Sequence, residues 1–219
     1  MKQAVICFTR VPQPGKTKTR LLPILSGEQC AVLHTAFLQD LSRMYRTLDA
    51  DLFVAYTPDP DWKMLQTIFP SAREFFPQEG NDLGERMYHA IARVLALGYH
   101  SCILTGADLP AMTAAHINAG FSALEQADMV IGPTSDGGYY LIGMKEPQDC
   151  VFHVPNYGGA TVYENTVSAA GAAGLKMVPG LTCDDVDTPE DLRSLAQTIS
   201  PDTFTGICLN QLKKEGIAL

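Results

Sequence analysis

The chain has 219 residues, 46% of them hydrophobic, and a formal net charge of −8. That length suits one sizeable α/β domain, and the apolar share is ordinary for a globular fold. The negative balance argues against a general nucleic-acid surface but not against a small nucleotide, which needs only a local basic pocket, and no run approaches the 18 apolar residues of a membrane span.

The N-terminus has a short apolar run, Ala4 to Phe8, that is too brief for a signal-peptide core, and Arg10 and Pro12 break it. The six cysteines, Cys7, Cys30, Cys102, Cys150, Cys183 and Cys208, lack metal-like spacing and read as reduced thiols of a cytoplasmic protein. Ala4 to Thr9 is an apolar strand. It leads into a loop, residues 10–20, stiffened by two prolines and a glycine and carrying four cations: Arg10, Lys16, Lys18 and Arg20. Loop amides with Lys and Arg nearby suit a diphosphate, and a solvated basic loop is the plain alternative. Neither a Walker A loop nor a Gly-x-Gly-x-x-Gly fingerprint is present.

Ser26 with Gln29 forms a capping box, and Leu33, Phe37, Leu41, Met44 and Leu48 recur at helical spacing, which predicts a helix from Gly27 to about Thr47. A strand over Leu52–Thr57, a short helix through Trp62 to Ile68 and a strand over Ala72–Phe76 follow. Asp82 reads as an N-cap, with Glu85 in the capping-box position. Gln78 and Asn81 alternatively offer amides to a nucleobase. Met87, Ile91, Val94 and Leu95 line the next helix, which Gly98 ends.

Cys102–Thr105 is a short apolar strand of the kind buried on both faces of a parallel sheet, and it ends in Gly106 and Asp108. A carboxylate there is either an Asx turn or a ligand-binding group, because open α/β sheets bind ligands beyond the carboxyl ends of their strands. A helix capped by Thr113 follows, with His116 on its surface, and then a strand from Asp128 to Gly132. Ser135-Asp136-Gly137-Gly138 reads as a hairpin turn into Tyr139–Ile142, or as an open turn where a substrate touches Gly137 and Gly138 beside Asp136. Phe152 to Gly159 is irregular. A helix over Thr161–Ala173 and a strand over Leu175–Val178 precede Asp184, Asp185 and Asp187. Clustered carboxylates repel, and a divalent cation would relieve them. Thr188-Pro189-Glu190-Asp191 starts a helix to about Ser200, and a second covers Thr203 to Lys214.

The strand–helix alternation predicts an α/β fold with a mostly parallel sheet and helices on both faces. It places the cationic loop, Asp108 and Asp187 after three strands, where they can converge: two carboxylates to hold Mg²⁺ or Mn²⁺, with cations to neutralise a diphosphate.

Thr9-Arg10-Val11-Pro12, Gly15-Lys16, Lys18-Thr19-Arg20-Leu21, Leu83-Gly84-Glu85-Arg86-Met87, Gly106-Ala107-Asp108-Leu109-Pro110, Asp136-Gly137-Gly138-Tyr139-Tyr140 and Asp185-Val186-Asp187-Thr188-Pro189 together carry a family resemblance. The chain resembles the bacterial family of provisionally assigned nucleotide-diphospho-sugar transferases with a Rossmann-like GT-A glycosyltransferase fold. More distantly, it is similar to molybdopterin and phospholactate guanylyltransferases. One stretch departs: Pro155-Asn156-Tyr157-Gly158-Gly159 stands where that family often has a Pro-Trp-Gly-Thr-like segment.

The resemblance implies a single GT-A-like domain over residues 1–219. It implies a metal-dependent glycosyltransferase with Asp108 and Asp187 on Mg²⁺ or Mn²⁺. Nucleotide contacts would fall on Thr9, Arg10, Lys16, Arg20, Gln78, Glu85 and Asp108. Lys16 and Arg20 would stabilise the departing phosphates, Asp136 would orient or deprotonate an acceptor, and Gly137 and Gly138 would contact it. The same residues would also serve a nucleotidyltransferase that releases pyrophosphate from a nucleoside triphosphate, or a nucleotide-binding module without turnover. The substrates expected are a nucleotide-sugar or nucleoside triphosphate and a small-molecule acceptor, with no nucleic-acid partner.

Overall fold

A computed structural model of the chain describes residues 2–155 and 157–219. Met1 and Asn156, the latter inside the departing stretch noted above, lie outside the described residues.

Seven strands form one sheet: β1 (Gln3–Thr9), β2 (Asp51–Tyr56), β3 (Glu74–Pro77), β4 (Ser101–Thr105), β5 (Met129–Pro133), β6 (Tyr139–Met144) and β7 (Met177–Pro179). Their spatial order is β3-β2-β1-β4-β6-β5-β7. Only β6 runs antiparallel, pairing with β4 and β5. The expected hairpin therefore exists, and it turns an otherwise parallel sheet into a mixed one. β4 is the middle strand, and all five of its residues are buried. That burial accounts for its unbroken apolar run, because both faces are covered.

The helices are α1 (Gly27–Tyr45), α2 (Met64–Ile68), α3 (Leu83–Leu95), α4 (Ala114–Leu124), α5 (Val162–Ala172), α6 (Pro189–Thr198) and α7 (Phe204–Lys214). Side chains of β1 alternate between two cores, as a period of two requires. Val5 and Cys7 join Leu38, Leu41 and Tyr45 of α1 and Ile117 and Phe121 of α4. Ala4 and Ile6 join Met87, Ile91 and Val94 of α3. The other side of α1, through Leu33 and Phe37, packs on Leu192 and Leu195 of α6 and Leu209 and Leu212 of α7. Ser26 closes the predicted capping box with Gln29, and Thr188 does the same with Asp191. A short 3-10 segment at Asp149–Phe152 leads into the stretch that reads as irregular. Among the described residues no helix is long and apolar enough to cross a membrane.

Candidate active site

The parallel strands all deliver their carboxyl ends to one edge, and β6, running the other way, delivers its amino end there. A cleft of 550 Å³ opens on that edge. Small-molecule sites usually measure roughly 300–1,000 Å³.

The loop after β1 forms one wall, and its shape is fixed from within. The Thr17 hydroxyl donates to the Val11 carbonyl and accepts from the Gln13 N–H. The Gln13 amide reaches across to Asp59 and Asp61 on the loop after β2. Lys18 then adopts φ 54° and ψ 40°, a left-handed conformation uncommon outside glycine. That turn drives its side chain inward, leaving it 2% exposed. Its ammonium donates to the Val186 carbonyl at 2.6 Å and meets Asp108 Oδ1 at 2.6 Å and Asp187 Oδ1 at 3.2 Å. Two carboxylates from distant strand ends thus share one nitrogen. The backbone assists, because the Val186 N–H donates to the Asp108 carbonyl. Lys16 and Arg20, flanking Lys18, stay exposed on the cleft wall. An Arg20 guanidinium nitrogen donates to Asp187 Oδ2 at 3.0 Å.

His34 completes the cluster from α1. It is 3% exposed, with Nε2 3.3 Å from the Thr9 hydroxyl and Nδ1 3.4 Å from Asp108 Oδ1. Burial alone would raise the Asp108 carboxyl. The Lys18 ammonium and His34 outweigh it and hold that carboxyl well below the usual carboxylate range. Asp185, on the same edge, moves the other way. Burial first, then the Asp187 and Asp136 carboxylates, push it up to about 6.

Thr9, Arg10, Lys16, Arg20, Gln78, Asp108 and Asp187 all line this one cleft. Some are already engaged. The Thr9 hydroxyl donates to the Arg10 carbonyl. The Gln78 amide donates to the Thr9 and Ala55 carbonyls and accepts from Thr57, so it straps β1 to β2 rather than offering its N–H groups to a base. Asn81 and Glu85 are engaged as well. Glu85 Oε2 accepts from both the backbone and side chain of Asn81 at the start of α3, while the Glu85 N–H donates to the N-cap Asp82. Glu85 thus serves the start of α3, in line with its capping reading, and it is Arg86 beside it that lines the cleft.

Thr134 and Tyr139, at the two ends of the hairpin turn, line the cleft, whereas Asp136, Gly137 and Gly138 between them are not among its lining residues. Asp136 Oδ1 accepts from both the Thr134 hydroxyl and the Gly138 N–H. Those two bonds hold its carboxyl below the usual value. Gly137, at φ 90°, is needed for packing, since a Cβ there would lie 1.9 Å from the Ala160 carbonyl oxygen. The Ala160 carbonyl fills the space on the Cβ side of Gly137, and the Gly138 amide donates to Asp136. Asp184 Oδ1 accepts from the Ser135 N–H and so anchors the turn to the loop before α6.

Of these cleft residues, His34 was not singled out by the sequence, and Lys18, Asp185 and Arg86 were read only as members of the cationic loop, the acidic cluster and the Leu83–Met87 motif, with no role of their own. A signal existed for His34: it shares the buried face of α1 with Leu38, Leu41 and Tyr45. None existed for Lys18, which looks like its two exposed neighbours.

The family described as "Uncharacterized protein conserved in bacteria (DUF2064)" matches residues 40–158. The chain belongs to this family. Within the fold of this DUF2064 member, the matched region runs from α1 past the hairpin and includes Asp108 and Asp136. A crystal structure from Desulfovibrio desulfuricans G20, provisionally assigned as a nucleotide-diphospho-sugar transferase, is 32% identical, with TM-score 0.90 over 98% of this chain and 96% of that chain. A cytidylyltransferase from Leptospira borgpetersenii is 12% identical, with TM-score 0.55 over 99% and 95%. A CMP:2-keto-3-deoxy-manno-octonic acid synthetase complexed with CTP is 13% identical, with TM-score 0.53 over 89% and 97%. The last two share the fold. No curated protein matches the chain.

Proposed function

We propose that the protein is a nucleotide-dependent transferase, and specifically a glycosyltransferase that takes a nucleotide-diphospho-sugar donor with Mg²⁺ or Mn²⁺. The observation that carries this reading is the meeting of Asp108 and Asp187 on one nitrogen, facing the Lys16–Arg20 loop. The description of the Desulfovibrio relative supports it.

The donor set fits a hard divalent cation. Asp108 is 40% and Asp187 31% exposed toward the cleft, and His34 Nδ1 is buried beside Asp108 without a hydrogen bond. Among the described residues no three His, Cys, Asp or Glu side chains form a metal cage. Mg²⁺ commonly binds through one or two carboxylates, substrate phosphates and water instead. When bound, the ion would neutralise charge building on the leaving diphosphate. Lys16 and Arg20 would add fixed positive charge to the same oxygens. Lys18 and His34 would hold Asp108 ionised and oriented. In the transfer itself the acceptor oxygen bonds to the anomeric carbon as the carbon–oxygen bond to the diphosphate breaks, and the hydroxyl proton passes to the departing diphosphate or to water. Asp136 has one oxygen committed to its turn, and we assign its other oxygen to orienting the acceptor hydroxyl. Its lowered basicity favours orientation over proton removal.

The likeness to a cytidylyltransferase and to a CTP-bound synthetase supports a second reading, nucleotidyl transfer. There an acceptor phosphate attacks the α-phosphate and pyrophosphate leaves. Incubation with Mn²⁺ and panels of nucleotide-sugars, nucleoside triphosphates and acceptors separates the two. Release of nucleoside diphosphate is expected, and release of pyrophosphate would establish the second reading. Tight binding with neither product across the panel would leave a nucleotide-binding module.

A further inference from the structure

We propose that Arg20 keeps the metal position closed until a phosphate draws it away, so that divalent ion and nucleotide enter together. The inference rests on the reading of Asp108 and Asp187 as metal ligands.

Two cations sit on this pair, and they differ in mobility. Lys18 has a side chain only 2% exposed and three oxygen partners within reach, so it stays in place. It covers Oδ1 of both carboxylates, which leaves the two Oδ2 atoms for an ion arriving from the cleft. Asp108 Oδ2 has no hydrogen bond or ion pair among the described residues. Asp187 Oδ2 does, because Arg20 covers it at 3.0 Å. The Arg20 side chain is 69% exposed, and exposed ion pairs are weak and exchange readily. A guanidinium grips phosphate through two parallel bonds, so a diphosphate in the cleft competes well for Arg20. Before it arrives, two cations already balance the two carboxylates, and a free divalent ion gains little by entering. Once Arg20 turns to the phosphate, Asp187 Oδ2 is uncovered and the added anionic charge favours the ion.

The test is Mn²⁺ binding to the full chain, followed by the resonance of free Mn²⁺, with protein-free controls for the nucleotide's own affinity. Three conditions matter: the parent alone, the parent with nucleoside diphosphates of each common base, and Arg20→Gln alone. Nucleotide is expected to tighten Mn²⁺ binding to the parent by roughly 5–150-fold, the usual span of coupling between sites. Arg20→Gln, an exposed change that should leave the melting temperature nearly unmoved, is expected to bind Mn²⁺ alone more tightly than the parent does, by on the order of tenfold. A merely structural Arg20 would not move that affinity, and this arm needs no nucleotide. Equal Mn²⁺ affinity of parent and variant, or of the parent with and without nucleotide, overturns the inference while leaving the metal reading standing. No Mn²⁺ bound by either protein under any condition overturns the metal reading and this inference with it.

Discussion

Asp108 lines the cleft and Asp136 sits on the hairpin turn next to it, each on a loop after a buried strand, and the fold treats them oppositely. Asp136 is satisfied by its own neighbours, Thr134 and Gly138. Asp108 is ion-paired with Lys18 from the loop after β1 and lies beside His34 from α1. A carboxylate held by adjacent residues shapes a turn. One held by distant elements ties those elements together, and it ionises the more firmly for it.

The sharpest way to break this comparison is to remove the distant partner. Lys18→Met leaves two carboxylates and a carbonyl facing an apolar group. Breaking a buried ion pair by deleting one member costs about 3–5 kcal/mol. The partial exposure of both carboxylates puts the expectation at the low end, about 3 kcal/mol, or a fall of roughly 6–12 °C in melting temperature. The pH dependence should change with it. The folded-state value of Asp108 lies below the ordinary 3.8. Its contribution is therefore complete above that value and is lost as the pH falls below it. The variant should lose less than the parent over that acid range. A variant that melts with the parent at neutral pH would show that Lys18 ties nothing together.

The matching change in the hairpin turn is smaller. Asp136→Ala removes two hydrogen bonds from an exposed turn and should cost about 1 kcal/mol, roughly 2–4 °C. Nucleotide affinity should be unchanged while transfer to the acceptor drops. Calorimetric titration of nucleotide into this variant checks the separation, and weakened nucleotide binding would make the turn part of the nucleotide site.

A third change sharpens the comparison by sign. Asp185 has a folded value near 6, above the ordinary 3.8. Its carboxyl favours the folded state fully below 3.8 and loses that contribution as the pH rises through about 6. Asp185→Asn should therefore raise the melting temperature of metal-free protein above pH 6 and leave it unchanged below 3.8. Thermal scans across that range read it, and a variant less stable than the parent above pH 6 would contradict the assigned environment.

The frame of this fold was legible because its signals are local. The apolar run at Cys102–Leu104, the capping boxes at Ser26 and Thr188 and the turn at Asp136 each depend on residues a few positions apart. The convergence of the loop after β1 with Asp108 and Asp187 was also legible, because strand–helix alternation sends all three to one edge. What each polar group does there was not. Lys16, Lys18 and Arg20 look alike in a sequence. Only the left-handed turn at Lys18 and the Val186–Asp108 backbone bond decide which one is buried. Gln78 and Glu85 look available for a nucleotide until the strand strap and the α3 start engage them.

The central claim is that Asp108 and Asp187 hold a divalent ion against the phosphates of a nucleotide, and melting with and without that pair of ligands tests it most directly. A ligand at 100 times its dissociation constant adds about 2.7 kcal/mol, or roughly 5–11 °C for a chain of this size. The parent with saturating nucleotide-diphospho-sugar and Mn²⁺ should melt higher by that amount, a chelator should remove most of the rise, and Asp108→Asn should not show it. A parent that melts at one temperature with and without Mn²⁺, across the common nucleotides and nucleotide-sugars, would contradict the account.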